Sequence, residues 1–250
     1  MNLNETMKVK NKLGEQLDVL VSGNPNAARV IVFMHGLGTD KHEGYLLFDD
    51  IASALQDNFI TIRFDVSGFG KSEGKQSEFC LTKAADDLQS VLEFATKQYA
   101  RPVNIIAHSF GGYVTTYLNP QEVEKIIYTS TPRPETQTMA AALQKRILAK
   151  GELNMDGVSI YHRSSGEIQE IGAKFWKDLT EFDALNALKS LTHLNRLTIF
   201  SAKNDDIVKL ESGDLYRSIK IDYHEISGDH DYKDPQDRAG LIEMIKKVLN

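Results

Sequence analysis

Five apolar side chains stand in an unbroken row in Arg29-Val30-Ile31-Val32-Phe33-Met34-His35. A strand with one wet face alternates apolar and polar residues, so a row like this must be covered on both sides. Further strands are read at Phe59–Asp65, Val103–Ala107, Val123–Thr129, Arg196–Ser201 and Ile221–Ile226. Helical spacing appears between and after them. Gly44–Gln56 places Leu47, Ile51 and Leu55 on one side, and Leu81–Tyr99 does the same with Leu88, Val91, Leu92 and Ala95. Gly111–Leu118, Leu210–Ile219 and Arg238–Leu249 complete the helical set. Doubly buried strands alternating with helices require a mostly parallel sheet layered between helices. Two stretches at the start, Met7–Lys10 and Gln16–Val21, flank Gly14 and alternate, which predicts an antiparallel hairpin at the sheet edge.

The rhythm stops between Thr131 and Leu191, where the pattern is helical and irregular and begins with Pro132 and Pro134. A structureless loop of that length inside a domain is implausible. The expected organisation is a core from residues 1–130 and 192–250 with a small cap inserted at 131–191. A chain of 250 residues suits one such domain and can bury a sizeable core. No repeat and no low-complexity tract interrupts it.

Charge and cysteine content narrow the function classes. The net charge of −6 argues against nucleic acid or an anionic membrane as the main partner. The single cysteine, Cys80, permits no internal disulfide, and its neighbours Glu78-Phe79 and Leu81 point to core packing rather than an activated thiol. No apolar run approaches the about 20 residues that a membrane span needs. Residues 1–12 are polar and lack the apolar segment of a secretory signal, so the expected location is cytoplasmic, with no integral membrane association.

The chemistry concentrates in Ile105-Ile106-Ala107-His108-Ser109-Phe110-Gly111-Gly112. An apolar strand runs into a serine flanked by small residues and then into a helix, the arrangement that exposes a nucleophilic hydroxyl on a tight turn. Ala107 takes the place of the first glycine of the G-x-S-x-G pattern. A serine needs a base, and the base needs an orienting acid; behind a strand–turn–helix serine of this kind they follow in the chain order Ser, acid, His. Asp205 follows the strand ending at Ser201, and His230 follows the strand ending at Ile226, both in loops past strand ends where ligands gather in open α/β sheets. His224 lies inside a strand pattern, and His42, His162 and His193 precede the acid. Two backbone N–H groups should hold the developing oxyanion. Phe110, directly after the serine, supplies one, and Leu37, in His35-Gly36-Leu37-Gly38, supplies the other. His35 reads as a loop-stabilising residue. Three consecutive residues such as Asp229-His230-Asp231 rarely converge on one ion, so neither a metal nor an organic cofactor is expected.

Together these residues resemble the α/β-hydrolase superfamily, over nearly the whole chain. The D-x-x-G-x-G-x-S pattern of that family is matched at Asp65 to Ser72, and its acid motif G-x-x-x-D-x-x-V at Asp205 and Val208, with Ser201 in place of the glycine. The resemblance implies a mostly parallel eight-stranded sheet with helices on both faces and a small, mainly helical cap, and it makes Asp65 structural. The stretch Glu73-Gly74, the helix carrying Asp86-Asp87-Leu88 and the cap segment Phe175–Leu179 are similar to cinnamoyl and feruloyl esterases and to monoacylglycerol-lipase-like or serine-aminopeptidase-like hydrolases. That likeness implies a serine carboxylesterase acting on small to medium acyl esters. Thioesterase, amidase or peptidase, and C–C hydrolase activities share the same triad. A binding protein that kept the fold without catalysis is the alternative of another class. In the cap, Met155, Tyr161, Phe175 and Trp176 either line the acyl pocket or pack the cap onto the core.

Overall fold

The computed structural model describes residues 2–163, 166–190, 196–208 and 213–250. Eight strands form one sheet in the order β1-β2-β4-β3-β5-β6-β10-β11. Their ranges are β1 Leu3–Lys10, β2 Gln16–Gly23, β3 Arg29–Met34, β4 Phe59–Phe64, β5 Val103–His108, β6 Val123–Thr129, β10 Leu197–Ala202 and β11 Asp222–Ile226. β1 pairs antiparallel with β2, and β2 antiparallel with β4; every later neighbour is parallel. The edge hairpin is therefore where alternation predicted it.

Five helices belong to this layer: α1 Leu47–Leu55, α2 Leu81–Tyr99, α3 Phe110–Leu118, α7 Gly213–Ser218 and α8 Pro235–Leu249. The unbroken apolar row of β3 has a direct cause. Val30, Val32 and Met34 enter one core with α2 and α3, while Ile31 and Phe33 enter a second core with Leu47, Phe48 and Ile51 of α1 and Leu241, Ile245 and Leu249 of α8. Successive side chains of a strand point to opposite faces, so a strand between two helical layers has no wet side.

Two details differ from the sequence reading. The segment read as one helix from Gly44 is a 3-10 turn at Gly44–Leu46 followed by α1, because Tyr45 and Leu46 sit in the left-handed region and break the ladder. α8 starts three residues earlier than the apolar pattern, at Pro235, with the Asp234 carboxylate accepting the Gln236 and Asp237 N–H groups. The start of the helix read from Leu210 lies outside the described residues.

Between β6 and β10 the chain forms α4 Thr136–Lys150, α5 Ala173–Glu181 and α6 Ala184–Ser190. Helices dominate this insertion, but it also contains a three-stranded antiparallel sheet of β7 Gly151–Glu152, β8 Val158–His162 and β9 Ile168–Gly172, which periodicity did not reveal. Its return to the core, around residue 191, lies outside the described residues.

Candidate active site

β5 delivers Ser109 to the carboxyl edge of the sheet. The backbone there takes φ 51°, ψ −124°, a strained turn for a residue with a side chain. The Ser109 N–H donates to the Thr129 carbonyl at 2.9 Å, which extends the β5–β6 ladder by one bond and fixes the turn against the neighbouring strand. α3 then leaves at once. A Cβ on Gly111 would approach the Met34 carbonyl oxygen to 2.3 Å, so only glycine lets the helix start this close to β3. Phe110 is the first residue of α3, and its N–H has no acceptor within the helix.

The loops after β10 and β11 bring up the partners. His230 Nε2 lies 3.1 Å from Ser109 Oγ, and His230 Nδ1 lies 2.8 Å from Asp205 Oδ2. The other carboxylate oxygen of Asp205 accepts the Ile207 and Val208 N–H groups at 2.8 and 2.7 Å. With one oxygen anchored by its own loop, the second is aimed at the imidazole. The Asp205 side chain is 2% exposed and that of His230 7%. Burial pushes the His230 imidazole down, but the hydrogen bond and charge of Asp205, with Asp231 and Glu43 adding to them, leave it above its ordinary value. Asp206, the neighbour of Asp205, is exposed. His224 lies in β11 and pairs with Asp222 at 2.8 Å, remote from this chain of bonds.

The loop after β3 completes the arrangement. His35 Nε2 accepts the Val66 N–H at 3.0 Å, which leaves its proton on Nδ1 for the Gly36 carbonyl at 2.8 Å. The Leu37 carbonyl accepts from Arg163 of the inserted segment at 3.0 Å. Gly38, at φ 75°, carries the close approach of that guanidinium. Asp65 is fully buried and accepts from Lys41 Nζ at 2.7 Å and from the Lys41 and Lys71 N–H groups, a structural role. Cys80 is buried beside Lys174, and burial foremost raises its thiol, which keeps it protonated.

Two residues beside the serine were not anticipated as part of the site. His108 is buried, with Nδ1 2.9 Å from Thr129 Oγ1 and its ring centroid 5.0 Å from that of His230. Burial first, and the neighbouring His230 second, lower it to about 3, so it stays neutral. Glu43 accepts the Gly36 N–H at 2.6 Å. The His108 signal was its place next to Ser109; Glu43 carried none. His108, His230 and Asp231 offer ligand atoms within 4.8 Å of one another, but both ring nitrogens of His230 already face Ser109 and Asp205. Of the residues expected to line the pocket or pack the insertion, Phe175 is fully buried against Phe110, with centroids 5.5 Å apart, and Trp176 is buried with its indole N–H on Ser159 Oγ. Met155 is exposed.

Comparison with known proteins follows the same lines. Residues 29–230 match the family model of the alpha/beta hydrolase fold. Over 104 residues the chain is 32% identical to the biotin biosynthesis bifunctional protein BioHC of Teredinibacter turnerae, a match covering 41% of this chain and only 17% of that protein. Among solved structures, Est1E of Butyrivibrio proteoclasticus with ferulic acid bound superposes with TM-score 0.76 at 17% identity, covering 97% of each chain. An esterase domain from a Rhodothermus marinus protein gives 0.72 at 19% identity, covering 98% of this chain and 97% of that one. The alpha/beta hydrolase domain-containing protein 10 from mouse gives 0.72 at 22% identity, covering 98% of both. At such identities the likeness is one of fold. With the family model spanning both the strands and the loops of the site, the chain belongs to the α/β-hydrolase fold family and is a hydrolase.

Proposed function

We propose that the protein is a serine carboxylesterase that hydrolyses small to medium acyl esters, with Ser109 as nucleophile, His230 as general base and Asp205 as orienting acid. The observation that carries this reading is the continuous chain from Ser109 Oγ to His230 Nε2 at 3.1 Å and from His230 Nδ1 to Asp205 at 2.8 Å. Ser109 Oγ attacks the ester carbonyl carbon while its proton passes to His230 Nε2, and the carbonyl electron pair becomes the oxyanion. The N–H groups of Leu37 and Phe110 stabilise that charge. As the tetrahedral intermediate collapses, the alcohol leaves with the proton from His230, and an acyl-enzyme remains. Water then attacks with His230 again as base, and the carboxylic acid departs from Ser109. Asp205 holds the tautomer with the proton on Nδ1 and stabilises the imidazolium.

In this reading residues 131–191 act as a cap on the core of 1–130 and 192–250. Arg163 on Leu37 and Phe175 on Phe110 support that role, since both oxyanion residues touch the insertion. Phe79, Phe110 and Phe175 are buried and pack ring against ring, which fastens the insertion to the core next to the serine. Est1E was solved with ferulic acid, so a methyl ferulate substrate belongs in the test beside p-nitrophenyl acyl esters of increasing chain length. Turnover by the wild type that vanishes in Ser109→Ala supports the reading. Turnover of thioesters or amides alone moves the activity to another acyl class. No turnover and no reaction with serine-directed phosphonates, in folded protein, refutes it.

A further inference from the structure

Glu43 lies in the loop after β3 and is 7% exposed. Its backbone, at φ 58°, ψ 173°, falls beside a region that is essentially glycine's own. Its carboxylate accepts the Gly36 N–H at 2.6 Å and the Gly44 N–H at 3.1 Å. Asp65, a buried carboxylate after β4, is matched by Lys41, whereas among the described residues no cation pairs with Glu43. Burying an unpaired carboxylate on a strained backbone works against stability, and strain of this kind collects at functional sites.

What the carboxylate holds lies against the nucleophile. A Cβ on Gly36 would meet Ser109 Cβ at 3.2 Å and Glu43 Oε2 at 3.4 Å, so one glycine separates the two side chains. The Gly36 carbonyl is taken by His35 Nδ1 at 2.8 Å and Thr39 Oγ1 at 3.1 Å. In a trans peptide the N–H points opposite to the C=O, so those bonds turn the Leu37 N–H away from His35 and Thr39. Gly36 has no side chain to define its torsions, and the Glu43 bond fixes its remaining end.

We propose that Glu43 is a positioning residue of the active site: by holding the Gly36 N–H it sets the orientation of the Leu37 N–H that receives the oxyanion at Ser109. The inference rests on the serine-hydrolase reading above. Glu43 also adds negative charge to the surroundings of His230. The groups facing that ring are Asp205, Asp231 and Glu43, which raise its affinity for a proton, and His108, which stays neutral. Lys233 lies at Asp229 and Asp231.

The test is the rate of phosphonylation of Ser109 by a fluorophosphonate, in which the serine oxygen replaces fluoride on phosphorus and the phosphoryl oxygen enters the oxyanion site. The rate is followed against pH for the wild type, Ser109→Ala, Glu43→Gln, Glu43→Asp and Glu43→Ala. A carboxamide still accepts the Gly36 N–H, so Glu43→Gln should stay within about tenfold of wild type, while loss of the anchor in Glu43→Ala should cost about 10²–10³, as for a lost oxyanion donor. Glu43→Asp keeps the charge but not the reach, and should be slow as well. Glu43→Gln should also shift the acid limb of the profile to lower pH, an effect that a merely structural role would not produce. A fast Glu43→Ala, a Glu43→Gln slower than Glu43→Asp, or an unmoved acid limb overturns the inference; the Gln and Asp pair decides it even if the Ala variant misfolds. If wild-type Ser109 does not react at all, the serine-hydrolase reading fails, and this inference with it.

Discussion

Replacing Asp205 by Asn changes one atom of the buried chain and almost none of its shape. The Asn carbonyl can still accept the Ile207 and Val208 N–H groups that Asp205 Oδ1 now takes, so the loop should keep its fold. The amide nitrogen then faces His230 Nδ1 across the present 2.8 Å. An N–H donor there demands an unprotonated Nδ1, which moves the imidazole proton to Nε2, and that nitrogen can no longer take the proton of Ser109 Oγ at 3.1 Å. The expected loss in kcat is about 10⁴, the size found when a triad carboxylate is neutralised in place. That corresponds to about 5 kcal/mol of transition-state stabilisation. A second signature follows from the charge. Burial alone lowers the His230 imidazole, and Asp205 is the main group raising it. Without the carboxylate the residual activity should persist to lower pH, because a base loses function only as pH falls through its own pKa. The assay is kcat and KM on the best p-nitrophenyl ester, across pH, with thermal unfolding as the control for integrity. A variant within about tenfold of wild type would refute the assignment of Asp205, since a wrong tautomer should cost far more than that, and Asp231→Asn would be the next variant to measure.

Three other consequences concern stability. Lys41→Met should destabilise the protein by about 3–5 kcal/mol in urea unfolding, because it leaves the buried Asp65 carboxylate without its cation and leaves Asp18 with Lys8 alone, whereas Lys12→Met at the exposed Asp86 pair should change it by less than about 1 kcal/mol. His108 stays neutral down to about 3 in the folded protein against 6.5 when unfolded. The unfolded chain therefore binds a proton in that window that the folded chain does not, and stability falls on acidification by about 1.4 kcal/mol per pH unit from this residue. His108→Asn should flatten the pH dependence of the unfolding free energy between about pH 6 and pH 4, and an unchanged slope would contradict the buried neutral imidazole. Phe175→Ala, which empties a fully buried site between Phe79 and Phe110, should cost about 3–5 kcal/mol, read from the urea midpoint.

Much of the architecture was legible because burial imposes composition. β3 reads as a doubly buried strand since Ile31 and Phe33 serve one core and Val30, Val32 and Met34 the other, leaving no position for a polar residue. Ser109, Asp205 and His230 were readable as candidates because each follows a strand of the parallel part of the sheet, β5, β10 and β11, and parallel strands bring their carboxyl ends to one edge. The order of strands was not: nothing local in Phe59–Phe64 says that it lies between β2 and β3. The small sheet of the insertion escaped because β7 has two residues and β8 is half polar, with Ser159 buried to receive the Trp176 indole N–H. The broken helix at Leu46 escaped because a leucine in the left-handed region follows from tertiary contacts, not from its own preference. Glu43 escaped for the same reason. Its role depends on a backbone angle and a reach to Gly36 that no spacing encodes.

The central claim is that Ser109 forms a covalent acyl-enzyme. Rapid acid quench during turnover of a p-nitrophenyl ester, followed by intact mass and peptide mapping, tests it most directly. The account predicts one added acyl group on the peptide holding Ala107 to Gly112, located on Ser109 and lost in Ser109→Ala. Turnover without an adduct at Ser109, or an adduct on Cys80 that survives Ser109→Ala, would contradict it.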